Sequence, residues 1–211
     1  MENMEIRISK KLAWKIVSGG QTGVDRAGLV AAMSQGIPFG GWVPKGRIAE
    51  DGVVPPEFYA MREWPKSGYR ARTRANVVDS DATLILADVL PISTGTALTA
   101  KFAVEVGRPF KIVRLGDADA VSQIRNWMHS LENSILQENY GQIVLNVAGP
   151  RESRSPGIFE RAKRVLTEVF ADFRESEDDG IYARLAADDN EFGRMAAESA
   201  ETPESYNASG D

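Results

Sequence analysis

The chain has no cysteine and a single histidine, His129. The first absence excludes a disulfide framework, a thiolate metal site and a cysteine nucleophile. His129 falls on the polar side of a predicted helix near its end, so no direct protein metal site is expected. No apolar run approaches the roughly 20 residues needed to cross a bilayer, and no membrane association is expected. The stretch "MENMEIRISKKLAWK" lacks the uninterrupted apolar core of a secretory signal, which makes the cytoplasm the expected compartment. A dense basic stripe of the kind that tracks a long polyanion is also missing, and nucleic acid is not an expected partner. The net charge of −5 hides an uneven distribution. From Arg174 to Asp211 there are eleven acidic residues against three arginines, while residues 1–173 are mildly basic. A mildly basic domain suits a small anionic ligand.

What the sequence does contain is a regular alternation of short apolar runs and amphipathic stretches. Strands are predicted at Trp14–Ser18, near Gly41–Val43, at 82–88 ("ATLILAD"), Phe110–Arg114 and Gln142–Ala148. Helices are predicted at Val24–Gln35, Tyr69–Asp79, Thr96–Val106, Ala118–Leu131 and Ile158–Arg174. Segment 38–58 is rich in glycine and proline and reads mostly as loop. Such alternation indicates βαβ units, so the expected fold is α/β, a Rossmann-like three-layer arrangement with a mostly parallel sheet over residues 1–174. Residues 175–211 read as an acidic C-terminal tail, disordered or weakly helical, that could recruit a partner.

In a parallel sheet, ligands bind beyond the carboxyl ends of the strands. Four such ends lead into "SGGQTGVDR" (18–26), "VPKGRIAEDG" (43–52), "DVLPISTGTALT" (88–99) and "GPRESRSPG" (149–157). Each combines glycine or proline with hydroxyl or cationic groups. Glycine lets the backbone approach a bulky anion, and the free N–H groups of the following helix face it at the positive end of the dipole. Gly19, Gly20, Gln21, Thr22 and Gly23 are therefore candidate ligand contacts, as are Ser93, Thr94, Gly95 and Thr96. The alternative for the glycines is close packing of strand on helix. No Lys-Ser or Lys-Thr pair follows them, so this is not a Walker A loop, and G-x-G-x-x-G is absent as well. Arg72 and Arg74, Arg151 and Arg154, and Lys45 are candidate anion clamps, since guanidinium binds phosphate bidentately. Asp25 either caps its helix or binds a ligand hydroxyl. Asp79 and Asp81 lie at the opposite strand edge and read as structural.

The motifs "GGQTGVDRAGL", "PKGRIAEDG", "RTRANVVDSDATLIL", "STGTALT" and "NVAGPRESRSPGI", in this order between Ala13 and Phe173, resemble the putative molybdenum carrier family. That family belongs to the Rossmann-like superfamily that also holds the cytokinin-activating phosphoribohydrolases and the DNA-processing protein DprA. The resemblance implies a Rossmann-like fold, a homo-oligomer, and a site for a nucleotide or a pterin-phosphate ligand such as molybdenum cofactor. The expected function is a binder or carrier of such an anionic cofactor. The alternative is a nucleoside-monophosphate N-glycosidase like the phosphoribohydrolases. Their signature Pro-Gly-Gly-x-Gly-Thr-x-x-Glu places a catalytic glutamate three residues after the threonine. Gly95 and Thr96 match its Gly-Thr pair, but the glutamate position is Thr99, leaving Asp88 as the substitute carboxylate.

Overall fold

The structure is a computed structural model that describes residues 13–65, 68–135 and 141–173; the predicted tail 175–211 lies outside these. Along the chain come β1 (Ala13–Val17), α1 (Val24–Ser34), β2 (Phe39–Val43), β3 (Ile48–Ala49) and β4 (Gly52–Val53). Next are β5 (Met61–Glu63), α2 (Tyr69–Val78), β6 (Ala82–Ala87) and α3 (Thr94–Glu105). The last are β7 (Phe110–Arg114), α4 (Ala120–Ile135), β8 (Gln142–Ala148) and α5 (Ile158–Phe170).

Six strands form one sheet in the order β5-β2-β1-β8-β6-β7, every pair parallel. Strand β6, "ATLILA", is apolar without alternation because both its faces are covered, and all six of its residues are buried. Strand β1 shows the alternation instead: Trp14 and Ile16 point into the larger core, with Leu84, Leu86, Ile143, Leu145 and Val147 of neighbouring strands. Helices α1, α4 and α5 close that core. Ile158, Ala162, Leu166, Val169 and Phe170 recur at helical spacing and are all fully buried. Burying each of the larger ones contributes about 2 kcal/mol against the entropy of ordering it. Helix α1 packs along α5, and its Gly28 lets Val147 of β8 approach closely. On the other side of the sheet, α2 and α3 enclose a smaller apolar cluster of Val77, Phe102 and Ala103. The fold is thus the three-layer Rossmann-like α/β arrangement.

The predicted loop 38–58 contains more structure than its composition indicates. Strand β2 begins at Phe39, and β3 pairs antiparallel with β4 as a small hairpin. Val43, Ala49, Val54, Phe58 and Met61 form a second core with Leu29 of α1. Edge strand β5 has only three residues, two of them charged and exposed, so it carries no apolar signal.

Chain order positions the site. From β1 the chain moves outward through β2 to β5, and from β6 it moves the opposite way to β7. Strand β8 lies between the two halves, paired with β1 on one side and β6 on the other. Loops on either side of β8 therefore diverge and leave a crevice at the carboxyl edge.

Candidate functional site

A cleft of about 470 Å³ occupies that crevice. The loops after β1, β6 and β8 line it, together with the first turns of α3 and one side of α2 from Tyr69 to Asn76. Of the residues expected at the site, Gly19, Gln21, Asp25, Arg72, Ser93, Thr94, Gly95, Thr96, Arg151 and Arg154 line it together. Gly20, Thr22, Gly23, Lys45 and Arg74 do not. Gly20 packs against Val43 and Met61, and Gly23 against the backbone of Pro150–Glu152. At these two glycines the close approach is to another part of the protein.

Gly19 meets the site itself. A Cβ there would overlap the Arg72 guanidinium, which lies over the Gly19 α-carbon. Arg72 is only 8% exposed. Its Nη1 stands 3.6 Å from Asp25 Oδ2, and its Nε is buried without a hydrogen-bond partner. A guanidinium desolvated in this way, with an unused donor, is costly unless something else completes it. Asp25 is equally enclosed. Burial pushes its pKa up to about 6, and the Arg72 charge with the Gln21 and Gly19 N–H groups opposes only part of that shift. Its Oδ2 accepts the Gln21 N–H at 3.3 Å. Asp25 therefore does not cap α1 through its side chain.

Helix α3 starts differently from its counterparts. The Val24 N–H that opens α1 donates to Pro150 O at 3.2 Å. At α5, Glu152 accepts from the Gly157 and Phe159 N–H groups. At α3, no side chain caps the first turn, and among the described residues Thr94, Gly95 and Thr96 have no protein acceptor for their N–H groups. All three line the cleft that holds Arg72. Ser93 and Thr96 add hydroxyls 3.1 Å apart. Arg70, Arg151 and Arg154 also line the cleft, so its charged lining is four arginines and one carboxyl group.

The tip of the β3–β4 hairpin ties the loops together. Glu50 accepts from the Thr22 hydroxyl and from the Ser153 N–H and hydroxyl, with Arg151 Nη1 at 3.7 Å. Its neighbour Asp51 holds Arg26 bidentately at 2.5 and 2.8 Å. Gln21 Oε1 accepts the Thr22 and Glu50 N–H groups. Thr22 is thus engaged within the protein. Partial burial raises the Glu50 pKa, but the Ser153 and Thr22 hydrogen bonds outweigh it and hold the carboxyl below its usual range. Its stabilising contribution is present above the unfolded-state pKa and is lost as pH falls through the folded value. Glu50→Gln should lower stability at pH 7 by about 1–2 kcal/mol. Urea unfolding at pH 7 and again near pH 3.5 checks this, and the difference between the two proteins should shrink at the lower pH.

The sequence did not single out Tyr69, Thr73, Asn76, Leu98 or Asn146, which also line the cleft. Arg70 lies over the Phe102 ring at 5.1 Å. Asn146 had a readable signal: it is a polar residue within an otherwise apolar strand, 2% exposed, donating to Thr83. Thr99 is buried in the cleft wall. Asp88 is committed elsewhere, accepting from Ser155 and bidentately from Arg161 at 3.1 and 2.6 Å. At the other strand edge, Asp79 accepts from Trp42 Nε1 at 2.6 Å, and Asp81 accepts the Val144 N–H at 2.8 Å. His129 pairs with Glu132 and rests against Phe173. Among the described residues no group of three or more His, Cys, Asp or Glu could hold a metal ion. Among them, too, no helix is long and apolar enough to cross a membrane.

Fold and cleft together define a doubly wound α/β protein whose polar cleft opens at the point where strand order reverses. Residues 16–170 match the circularly permutated YpsA SLOG family, and the chain belongs to that family. The chain is also similar to the crystal structure of a putative molybdenum carrier protein from Syntrophus aciditrophicus SB. The two are 42% identical with a TM-score of 0.66, over 76% of this chain and 96% of that one. No curated protein matches it.

Proposed function

We propose that the cleft binds a small molecule bearing a phosphate-like group on a nucleotide- or pterin-derived body, and that the protein carries this molecule rather than transforming it. The observation that carries this reading is the buried Arg72 Nε without a partner, in the same cleft as the uncapped start of α3. An anion there would accept from both, at the positive end of the helix dipole. The cleft volume lies in the range that encloses a ring system and its substituents. The similar protein from Syntrophus aciditrophicus SB is named a putative molybdenum carrier protein, which brings molybdenum cofactor among the ligands to be tried. The residues present suit the phosphate end of such a cofactor. With no cysteine in the chain, the metal would be held by the cofactor's own atoms.

A second reading is favoured by one observation. Asp25 places a carboxyl group in the cleft, in the first turn of α1, with a pKa near that of a working acid–base group. N-glycoside hydrolysis would need such a group, and neither Thr99 nor the committed Asp88 offers it. One experiment separates the readings: calorimetric titration with nucleoside monophosphates and a phosphorylated pterin, each incubation also assayed for free base. Binding that weakens with added salt, without base release, is the expected result. Base release that disappears in Asp25→Asn would establish the enzyme instead, and no binding to any of these ligands would remove the carrier reading.

A further inference from the structure

We propose that Asp25 enters the anion complex as the neutral acid, so that the cleft takes up one proton together with its ligand and Asp25 donates its carboxyl hydrogen to a ligand oxygen. This rests on the anion-binding reading above and adds to it a selection for groups with acceptor oxygens.

The geometry leaves the carboxyl group nowhere to withdraw. Arg72 Nη1 is 3.6 Å from Asp25 Oδ2, and both side chains press over the Gly19 α-carbon. The Asp25 backbone is pinned by the Ser18 hydroxyl, which donates to its carbonyl at 3.0 Å, and its Oδ2 is pinned by the Gln21 N–H. Both side chains line the cleft, so an oxyanion that meets the Arg72 guanidinium there settles close to the Asp25 oxygens. Two anions that close in a desolvated wall repel, and against an anion that stays fully charged, such as sulfate, the carboxyl is the group that takes a proton. The charges facing it from other elements are Arg72 on α2 and Arg151 after β8. On its own helix, Arg26 is turned to Asp51 and the Gly20 carbonyl. Tyr69 lies under the Arg72 guanidinium at 5.9 Å. His129 is engaged by Glu132 and does not line the cleft. The proton is within reach near neutral pH, because burial has already raised the Asp25 pKa to about 6.

The test uses inorganic sulfate, a dianion throughout the range, so that any pH dependence belongs to the protein. Sulfate is titrated calorimetrically at constant ionic strength from pH 5.5 to 8, in buffers of differing ionisation enthalpy. Affinity should be nearly level below pH 6 and fall about tenfold for each pH unit above it, with uptake approaching one proton at pH 7.5. Asp25→Asn keeps the shape without the charge. It should bind sulfate at pH 8 about as tightly as the native chain does at pH 5.5, without proton uptake. Arg72→Ala, measured at pH 5.5, locates the binding in this cleft. Sulfate affinity that depends on Arg72 but is level from pH 5.5 to 8 would overturn the role of Asp25 and leave the anion site standing. No sulfate binding at pH 5.5 would overturn the anion site and this inference with it.

Discussion

Gly23→Ala should destabilise the protein by about 3 kcal/mol or more, enough to lower the melting temperature by roughly 6–12 °C. Gly23 has φ 74° with ψ −131°, a combination open almost only to glycine, which costs an L-residue on the order of 1–3 kcal/mol. The larger part of the loss is steric. An alanine Cβ would run into the Pro150 carbonyl oxygen and the backbone around Arg151 and Glu152, none of which can rotate aside as a side chain could. Moving that segment would cost the Val24 N–H bond to Pro150 O and the Glu152 N–H bond to Thr22 Oγ1. Arg151 would shift with it, so the cleft should lose affinity as well. Gly95→Ala is the control, because a Cβ at Gly95 meets nothing within 4 Å and the residue lies in the first turn of a helix. That substitution should be neutral or stabilising by up to about 1 kcal/mol. Chemical denaturation of both variants decides the matter, and a Gly23→Ala protein as stable as the parent would refute the packing described here.

These glycines also show where sequence reading reaches its limit. Three glycines within five positions signal a close approach, but the pattern cannot say to what. Gly19 lies under a cleft arginine, whereas Gly20 and Gly23 accommodate the chain itself. Elements with a strong periodic or continuous apolar signal, such as β6 and α5, were legible, because burial on two faces or one stripe leaves a regular imprint. Strands β3, β4 and β5 were not: with two or three residues each, largely exposed, they have no room for a pattern. Of the four loops expected at the site from their positions at strand ends, three line the cleft and the fourth, 43–52, does not. The pairing of Asp25 with Arg72 was not legible, since they lie 47 positions apart and only the tertiary fold makes both buried. Helical spacing puts Arg70 and Arg74 on one face and Arg72 on another, but it does not say which of them is enclosed.

Arg72→Ala should weaken binding of a phosphate-bearing ligand by at least a hundredfold, corresponding to about 3 kcal/mol. The guanidinium offers an unused Nε in a desolvated wall, where charge-assisted hydrogen bonds are strongest. Arg72→Lys should recover little, since an ammonium group is a point charge and cannot reproduce the planar fork lying across Gly19. Without Arg72, Asp25 loses its main opposing charge, and its pKa should rise further above 6. The cost to folding should stay modest below pH 6, where Asp25 is mostly neutral. Calorimetry of ligand binding, with carboxyl-selective NMR of Asp25, reads both effects. Retention of native affinity in a folded Arg72→Ala protein would mean that the anion sits elsewhere.

Strand β8 joins the two halves of the sheet, yet among the described strands it is the last to leave the ribosome. A nascent chain that has emerged only through β7 contains β1 and β6 but not the strand that both must pair with. Each would present an open edge, and the completed sheet depends on contacts between residues more than a hundred positions apart, such as Ala13 with Gln142. Folding should therefore wait until β8 is clear of the exit tunnel, and the exposed edges make that interval the one in which the polypeptide most needs chaperone protection.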